Sequence, residues 1–136
     1  MKANEIPVEL LDGDLTRILV VDDDPSIVRI IGEMLEREDR FEVRTASTGY
    51  DAGMTTREFR PNIILLDYML PDVNGNVVCQ RIKADPDLAD TRVVIISGVV
   101  RQEEIDELMA AGADAFIPKP FQVDALIECI DGVLTA

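Results

Sequence analysis

Short β-branched runs that alternate with helical periodicities predict an α/β protein, a single doubly wound, five-stranded parallel sheet with five helices. Three observations carry this prediction. The runs Ile18-Leu19-Val20-Val21, Ile63-Ile64-Leu65-Leu66 and Val93-Val94-Ile95-Ile96 are unbroken apolar tetrads, the mark of strands covered on both faces. Amphipathic stripes of helical spacing lie between them. The intervening connections are short, and right-handed crossovers then leave few topologies.

Taken in order, residues 1–16 stand apart as an extension or linker, because Glu5-Ile6-Pro7-Val8 and Asp12-Gly13-Asp14 interrupt any long helix. The domain proper is expected to span 17–136. Its first strand is Ile18 to Val21. The first helix follows Asp24-Pro25, an N-cap acceptor and a residue pre-set for the first turn, and carries Ile27, Ile30, Ile31, Met34 and Leu35 on one stripe. The alternating Phe41-Glu42-Val43-Arg44-Thr45 reads as a half-exposed edge strand. Thr48, with Asp51 three residues on, opens the second helix. The third helix follows Gly75 with Val77, Val78 and Ile82, and the fourth carries Ile105, Leu108 and Met109. Ala115-Phe116-Ile117 is the last strand, and the last helix carries Val123, Leu126, Ile127, Ile130 and Leu134.

The chain has 136 residues, near the roughly 150 typical of one domain. At 47% apolar and 29% charged residues it can bury one core. Its 27 acidic and 13 basic side chains give a net charge of −14, which repels nucleic acid and anionic membrane surfaces. The absence of histidine excludes Ser-His-Asp and Cys-His catalysis and His-ligated zinc. Cys79 and Cys129, fifty positions apart with no CxxC, read as reduced packing residues of a cytoplasmic protein. No apolar stretch has the length of a membrane span or signal core.

In a doubly wound sheet the ligand sits at the carboxyl ends of the strands. The first strand ends in Asp22-Asp23-Asp24, the third in Asp67, the fourth in Ser97-Gly98 and the fifth in Pro118-Lys119-Pro120. One acidic residue after a strand is commonly a helix cap, and Asp24 is read that way. Convergence of Asp22, Asp23, Asp67, Ser97 and Lys119 on one rim needs another explanation. Crowded carboxylates repel by about 4 kcal/mol per close pair at an effective dielectric near 20, so they need a cation or must protonate, and a hard divalent ion is the natural answer. A few carboxylates with positions left for water and phosphate suit Mg2+ better than calcium. An EF-hand over residues 70–81 fails, because Leu70 and Arg81 would occupy its first and last ligand positions. Beside a cation, a carboxylate can attack phosphorus and form an acyl phosphate, with Lys119 and Ser97 contacting phosphoryl oxygens. Neither GxxxxGK[ST] nor GxGxxG occurs, so the phosphoryl group must come from another molecule.

Val20-Val21-Asp22-Asp23-Asp24-Pro25, Leu65-Leu66-Asp67-Tyr68-Met69-Leu70-Pro71-Asp72-Val73-Asn74-Gly75, Ser97-Gly98 and Ala111-Gly112-Ala113-Asp114-Ala115-Phe116-Ile117-Pro118-Lys119-Pro120-Phe121 closely resemble the receiver domain of two-component response regulators, a flavodoxin-like fold. The resemblance runs from residue 17 to about 134. It implies that Asp67 is the phosphoacceptor and Asp23 a direct Mg2+ ligand. Asp22 is implied to act through water, and the Met69 carbonyl to complete the metal's protein contacts. It further implies Ser97 as the switch hydroxyl, Lys119 as the phosphate-pairing lysine and a cis peptide before Pro120. Phe116 matches the switch aromatic and equally fits a core aromatic on the last strand.

Two departures stand out. Serine replaces the more common threonine at position 97, and Met69 and Val99, at positions that tune dephosphorylation in similar domains, cannot orient a water. The implied partner is a sensor histidine kinase or histidine phosphotransfer protein, with output through the fourth helix, fifth strand and fifth helix and a phosphorylation-dependent dimer. A haloacid-dehalogenase-like phosphatase is the enzymatic alternative, but its nucleophile follows the first strand in a DxD motif. A receiver working without phosphorylation is the other alternative, and the complete acidic set argues against it. Residues 2–8 also resemble the linker after an excisionase-like helix-turn-helix in some multidomain regulators.

Overall fold

The computed structural model describes residues 15–98 and 101–135. Expectations for residues 1–14 and for Val99 therefore lie outside the described residues. The elements run β1 (Thr16–Val21), α1 (Pro25–Glu36), β2 (Phe41–Ala46), α2 (Gly49–Phe59), β3 (Ile63–Asp67), α3 (Gly75–Ala84), a short 3-10 turn (Pro86–Leu88), β4 (Arg92–Ser97), α4 (Gln102–Ala110), β5 (Ala115–Pro118) and α5 (Val123–Thr135). All strand pairs are parallel, in the order β2-β1-β3-β4-β5. The architecture is the one the alternation predicts, with the 41–46 strand at an edge.

Alternate side chains of the central strands feed two separate cores. Leu19, Val21, Ile64, Leu66, Val93 and Ile95 meet Ala52, Val78, Ile82 and Leu108 on the α2–α3–α4 side. Ile18, Val20, Ile63, Leu65, Val94 and Ile96 meet Ile31, Leu35, Leu126 and Ile130 on the α1–α5 side. Both faces of the tetrads are buried, which is why those runs carry no polar alternation.

Capping follows the sequence signals. Asp24 accepts the Ser26 N–H at 2.9 Å and Pro25 opens α1. Thr48 accepts the Asp51 N–H at 3.0 Å to start α2. Some stripe residues nonetheless stay open: Ile30, Met109 and Val123 are each at least 40% exposed. A helix lying on a flat sheet covers only the residues aimed straight at it, such as Leu35, Leu108 and Leu126, and leaves the flanks to solvent. Asp114 is a tie that patterning does not reveal. Its Oδ2 accepts from Lys83 Nζ and from the Val93 N–H, both at 2.8 Å, joining α3 to the start of β4 and β5.

Gly75 marks the closest approach near the rim. A Cβ there would lie 2.7 Å from the Asp67 carbonyl oxygen and 3.0 Å from Tyr68 Cα, both backbone atoms that cannot swing away. Gly75→Ala is therefore expected to destabilise the protein by about 1–3 kcal/mol, the usual cost of overpacking. Urea denaturation should show a lower midpoint at an unchanged slope, and an unmoved midpoint would refute the close approach.

Candidate functional site

Four chain segments, the ends of β1, β3, β4 and β5, deliver their side chains to the carboxyl edge of the sheet. Val21 of β1 is registered opposite Leu66 of β3, so Asp22 and Asp67 follow side by side. Asp67 is registered against Ile96 of β4, and Ser97 against Pro118 of β5, which brings Ser97 and Lys119 to the same edge. The Lys119 N–H donates to the Ser97 carbonyl at 2.8 Å and fixes the two segments to each other. The peptide between Lys119 and Pro120 is cis.

Asp22 and Asp67 are nearly buried, at 4% and 9% exposure, while Asp23 is exposed. One carboxylate oxygen from each of Asp22, Asp23 and Asp67 lies within 4.8 Å of the others. Lys119 Nζ pairs with Asp22 Oδ2 at 2.9 Å and reaches Asp67 Oδ1 at 3.8 Å. Asp22 also accepts the Asp24 N–H at 2.9 Å, and Asp67 the Met69 N–H at 3.4 Å. Burial pushes the Asp67 carboxyl above its ordinary value, and the Asp22 charge adds to the shift; Lys119 and the Met69 amide oppose it. One ammonium does not balance three carboxylates. Hard oxygen donors of net negative charge, partly open to solvent, fit a divalent cation that keeps several waters, and Mg2+ fits this description. A depression of about 630 Å³ between α1 and α2 opens onto Asp22 and Asp23 and gives such waters room.

Ser97 is buried, at 3% exposure. Phe116 is partly buried against the α2–α3–α4 core. The Met69 side chain is 66% exposed. Asp24 caps α1, as read from the sequence, and takes no place among the clustered carboxylates. Sequence reasoning gave Asp72 no role. Its Oδ1 accepts the Gly49 N–H at 2.8 Å and its Oδ2 the Tyr50 N–H at 2.9 Å, so it caps a helix 23 residues earlier. An aspartate after proline in a loop is an ordinary turn residue, and no local signal identifies so distant an acceptor role.

Fold and rim together define a receiver domain, and the comparisons agree. Residues 18–131 match the response regulator receiver domain family, and the chain belongs to it. The DNA-binding response regulator MtrA of Mycolicibacterium smegmatis is 36% identical over 119 residues, 86% of this chain and 50% of MtrA. The DNA-binding dual master transcriptional regulator RpaA of Synechocystis sp. is 32% identical over 120 residues, 88% of this chain and 49% of RpaA. A CheY-like receiver domain from Methanospirillum hungatei superposes with a TM-score of 0.81 at 31% identity, covering 89% of this chain and 94% of that one. The chain thus spans about half the length of the two regulators it matches. Receiver domains are signalling modules, and a haloacid-dehalogenase-like phosphatase is not favoured. Among the described residues no helix is long and apolar enough to cross a membrane.

A raised Asp67 value has a definite sign in stability. The contribution of this group is full below its unfolded value and is lost as pH rises through the higher folded one, so the ionised carboxylate opposes folding at neutral pH. Asp67→Asn should raise the thermal midpoint at pH 7 in the absence of divalent ions, with the gain shrinking towards pH 3. Equal midpoints of the two proteins at pH 7 would contradict this account of the rim.

Proposed function

We propose that this receiver accepts a phosphoryl group on Asp67 from a sensor histidine kinase or a histidine phosphotransfer protein. The observation that carries the reading is Asp67 itself, a nearly buried carboxylate at the end of a central strand, clustered with Asp22 and Asp23 and with Lys119 Nζ 3.8 Å away. An Asp67 oxygen forms the new bond to phosphorus as the P–N bond of the phosphohistidine breaks, and the departing imidazole takes up a proton. Asp22, Asp23, Asp67 and the backbone carbonyl of Met69 are the groups that would hold Mg2+. When bound, Mg2+ supplies positive charge to the phosphoryl oxygens during transfer. Lys119 and the Ser97 hydroxyl serve the remaining oxygens, and no charge needs to be created at the moment of reaction.

The only reactions assigned to the chain are its own phosphorylation and dephosphorylation. Ser97 and Phe116 form the switch, and the α4–β5–α5 surface is the output face, which also serves a phosphorylation-dependent dimer. The domain is taken to span residues 17–136, with 1–16 as its extension, in the cytoplasm. Because the two regulators are named as DNA-binding and are about twice as long as the matched region, the output is assigned to a separate element; a chain of net charge −14 is a poor ligand for DNA.

Acetyl phosphate with Mg2+ should add one phosphoryl group, read by mass spectrometry. Asp67→Asn should remove the addition and Asp23→Asn should slow it at least tenfold, in line with the loss of a metal ligand. Labelling of the Asp67→Asn protein, or labelling unaffected by chelation, would refute the assignment. Lifetime supplies a separate check. Met69 has no group that positions an attacking water, so the acyl phosphate should be long-lived, and Met69→Glu with Val99→Asn should hasten its hydrolysis by tenfold or more. An unchanged decay rate would remove Met69 and Val99 from the account.

A further inference from the structure

The loop between β3 and α3 is restrained at its base and at its tip. At the base the Gly75 N–H donates to the Tyr68 carbonyl at 2.6 Å, and Met69 and Asn74 form an isolated antiparallel bridge. At the tip the Asp72 carboxylate spans two successive N–H groups of α2, on Gly49 and Tyr50. The first amides of a helix have no partner inside it, so they are free to be taken this way. A third, on Asp51, is already held by Thr48. Beside this contact, a Cβ on Gly49 would collide with the Val73 side chain, so loop and helix meet at a separation that glycine leaves open.

The Gly49 amide, then the Tyr50 amide, holds the Asp72 carboxyl below its ordinary value, as two amide donors to a carboxylate should. Met69 belongs to the base restraint through its bridge with Asn74, three residues before the tip at Asp72, and its side chain points largely into solvent. Its peptide group is therefore fixed by the loop's ends and tip, with little help from side-chain packing.

We infer that Asp72 is a positioning residue for the rim: by clamping the 68–74 loop to the start of α2, it holds the Met69 carbonyl where a divalent ion can use it. The inference rests on the functional reading above. Preorganising a donor reduces the ordering that binding requires, so release of the clamp lowers metal affinity without removing any ligand.

The test separates this role from simple helix capping and from simple charge. Asp72→Ala removes the clamp. Thr48→Ala removes the other cap of the same helix and leaves the loop alone, and Asp51→Asn removes one carboxylate from the same helix end. Mg2+ dissociation constants come from calorimetric titration of each unphosphorylated protein, with thermal midpoints measured alongside. Asp72→Ala should weaken Mg2+ binding about three- to tenfold, in the range of outer-shell metal-site substitutions or somewhat below it. Thr48→Ala and Asp51→Asn should bind Mg2+ within twofold of the parent, although Thr48→Ala loses thermal stability. Parent-like binding by Asp72→Ala, or an equal loss in either control, would overturn the inference. A parent protein that accepts phosphate and binds Mg2+ beside an unaffected Asp72→Ala would sink only the positioning role. A parent that does neither would sink the functional reading beneath it.

Discussion

Two parallel strands that end in phase create the central constraint. With Val20 opposite Leu65 and Val21 opposite Leu66, the next residue of each strand is an aspartate, so two nearly buried carboxylates stand beside each other. A slip of one residue would turn both apolar sets to the wrong faces, so the register cannot relax to separate the charges. Repulsion of a few kcal/mol per close pair opposes the arrangement. Against it stand Ile18, Leu19, Val20, Val21, Ile63, Ile64, Leu65 and Leu66, each at most 1% exposed and each worth roughly 1.5–3 kcal/mol of burial. The core decides the geometry, and the rim bears the electrostatic consequence.

Lys119 is the counterweight inside that rim. It arrives from β5, with two strands between its own and β1, yet its nearest carboxylate is Asp22 at 2.9 Å, with Asp67 at 3.8 Å. The single ammonium is shared unequally. An anionic group placed on Asp67 would shift that balance towards Asp67, because the attraction between opposite charges grows with the charge and falls with distance. A backbone bond from Lys119 to Ser97 ties the end of β5 to the end of β4.

The sheet, its edge strand and the residues of the rim were legible because each rests on local chemistry. Apolar tetrads state that both faces are covered, Asp24-Pro25 states a helix start, and a polar residue directly after a buried strand states an edge. Asp72 and Asp114 were not legible, because their partners lie 23 and 31 positions away in Gly49 and Lys83, and nothing nearby in the chain marks an aspartate as one end of such a tie. Ile30, Met109 and Val123 show the converse limit. Periodicity assigns a residue to a stripe, but the width of the stripe that a sheet covers depends on how neighbouring helices sit, which is a property of the assembled layers.

Helix starts around the rim explain which groups are left for an anion. Every strand of a parallel sheet leads towards a helix N-terminus, whose amides and partial positive charge could themselves bind phosphate. Here the openings of α1 and α2 are occupied by their own chain: Asp24 takes the Ser26 amide, Thr48 takes that of Asp51, and Asp72 takes those of Gly49 and Tyr50. Asp22 takes the amide of Asp24 as well. An arriving anion would have to displace three carboxylates and a hydroxyl to reach them. Under the proposed function, recognition of a phosphoryl group would fall to Lys119 and Ser97, which the strand register brings to the same edge as Asp67, and to the cation that the carboxylates call for.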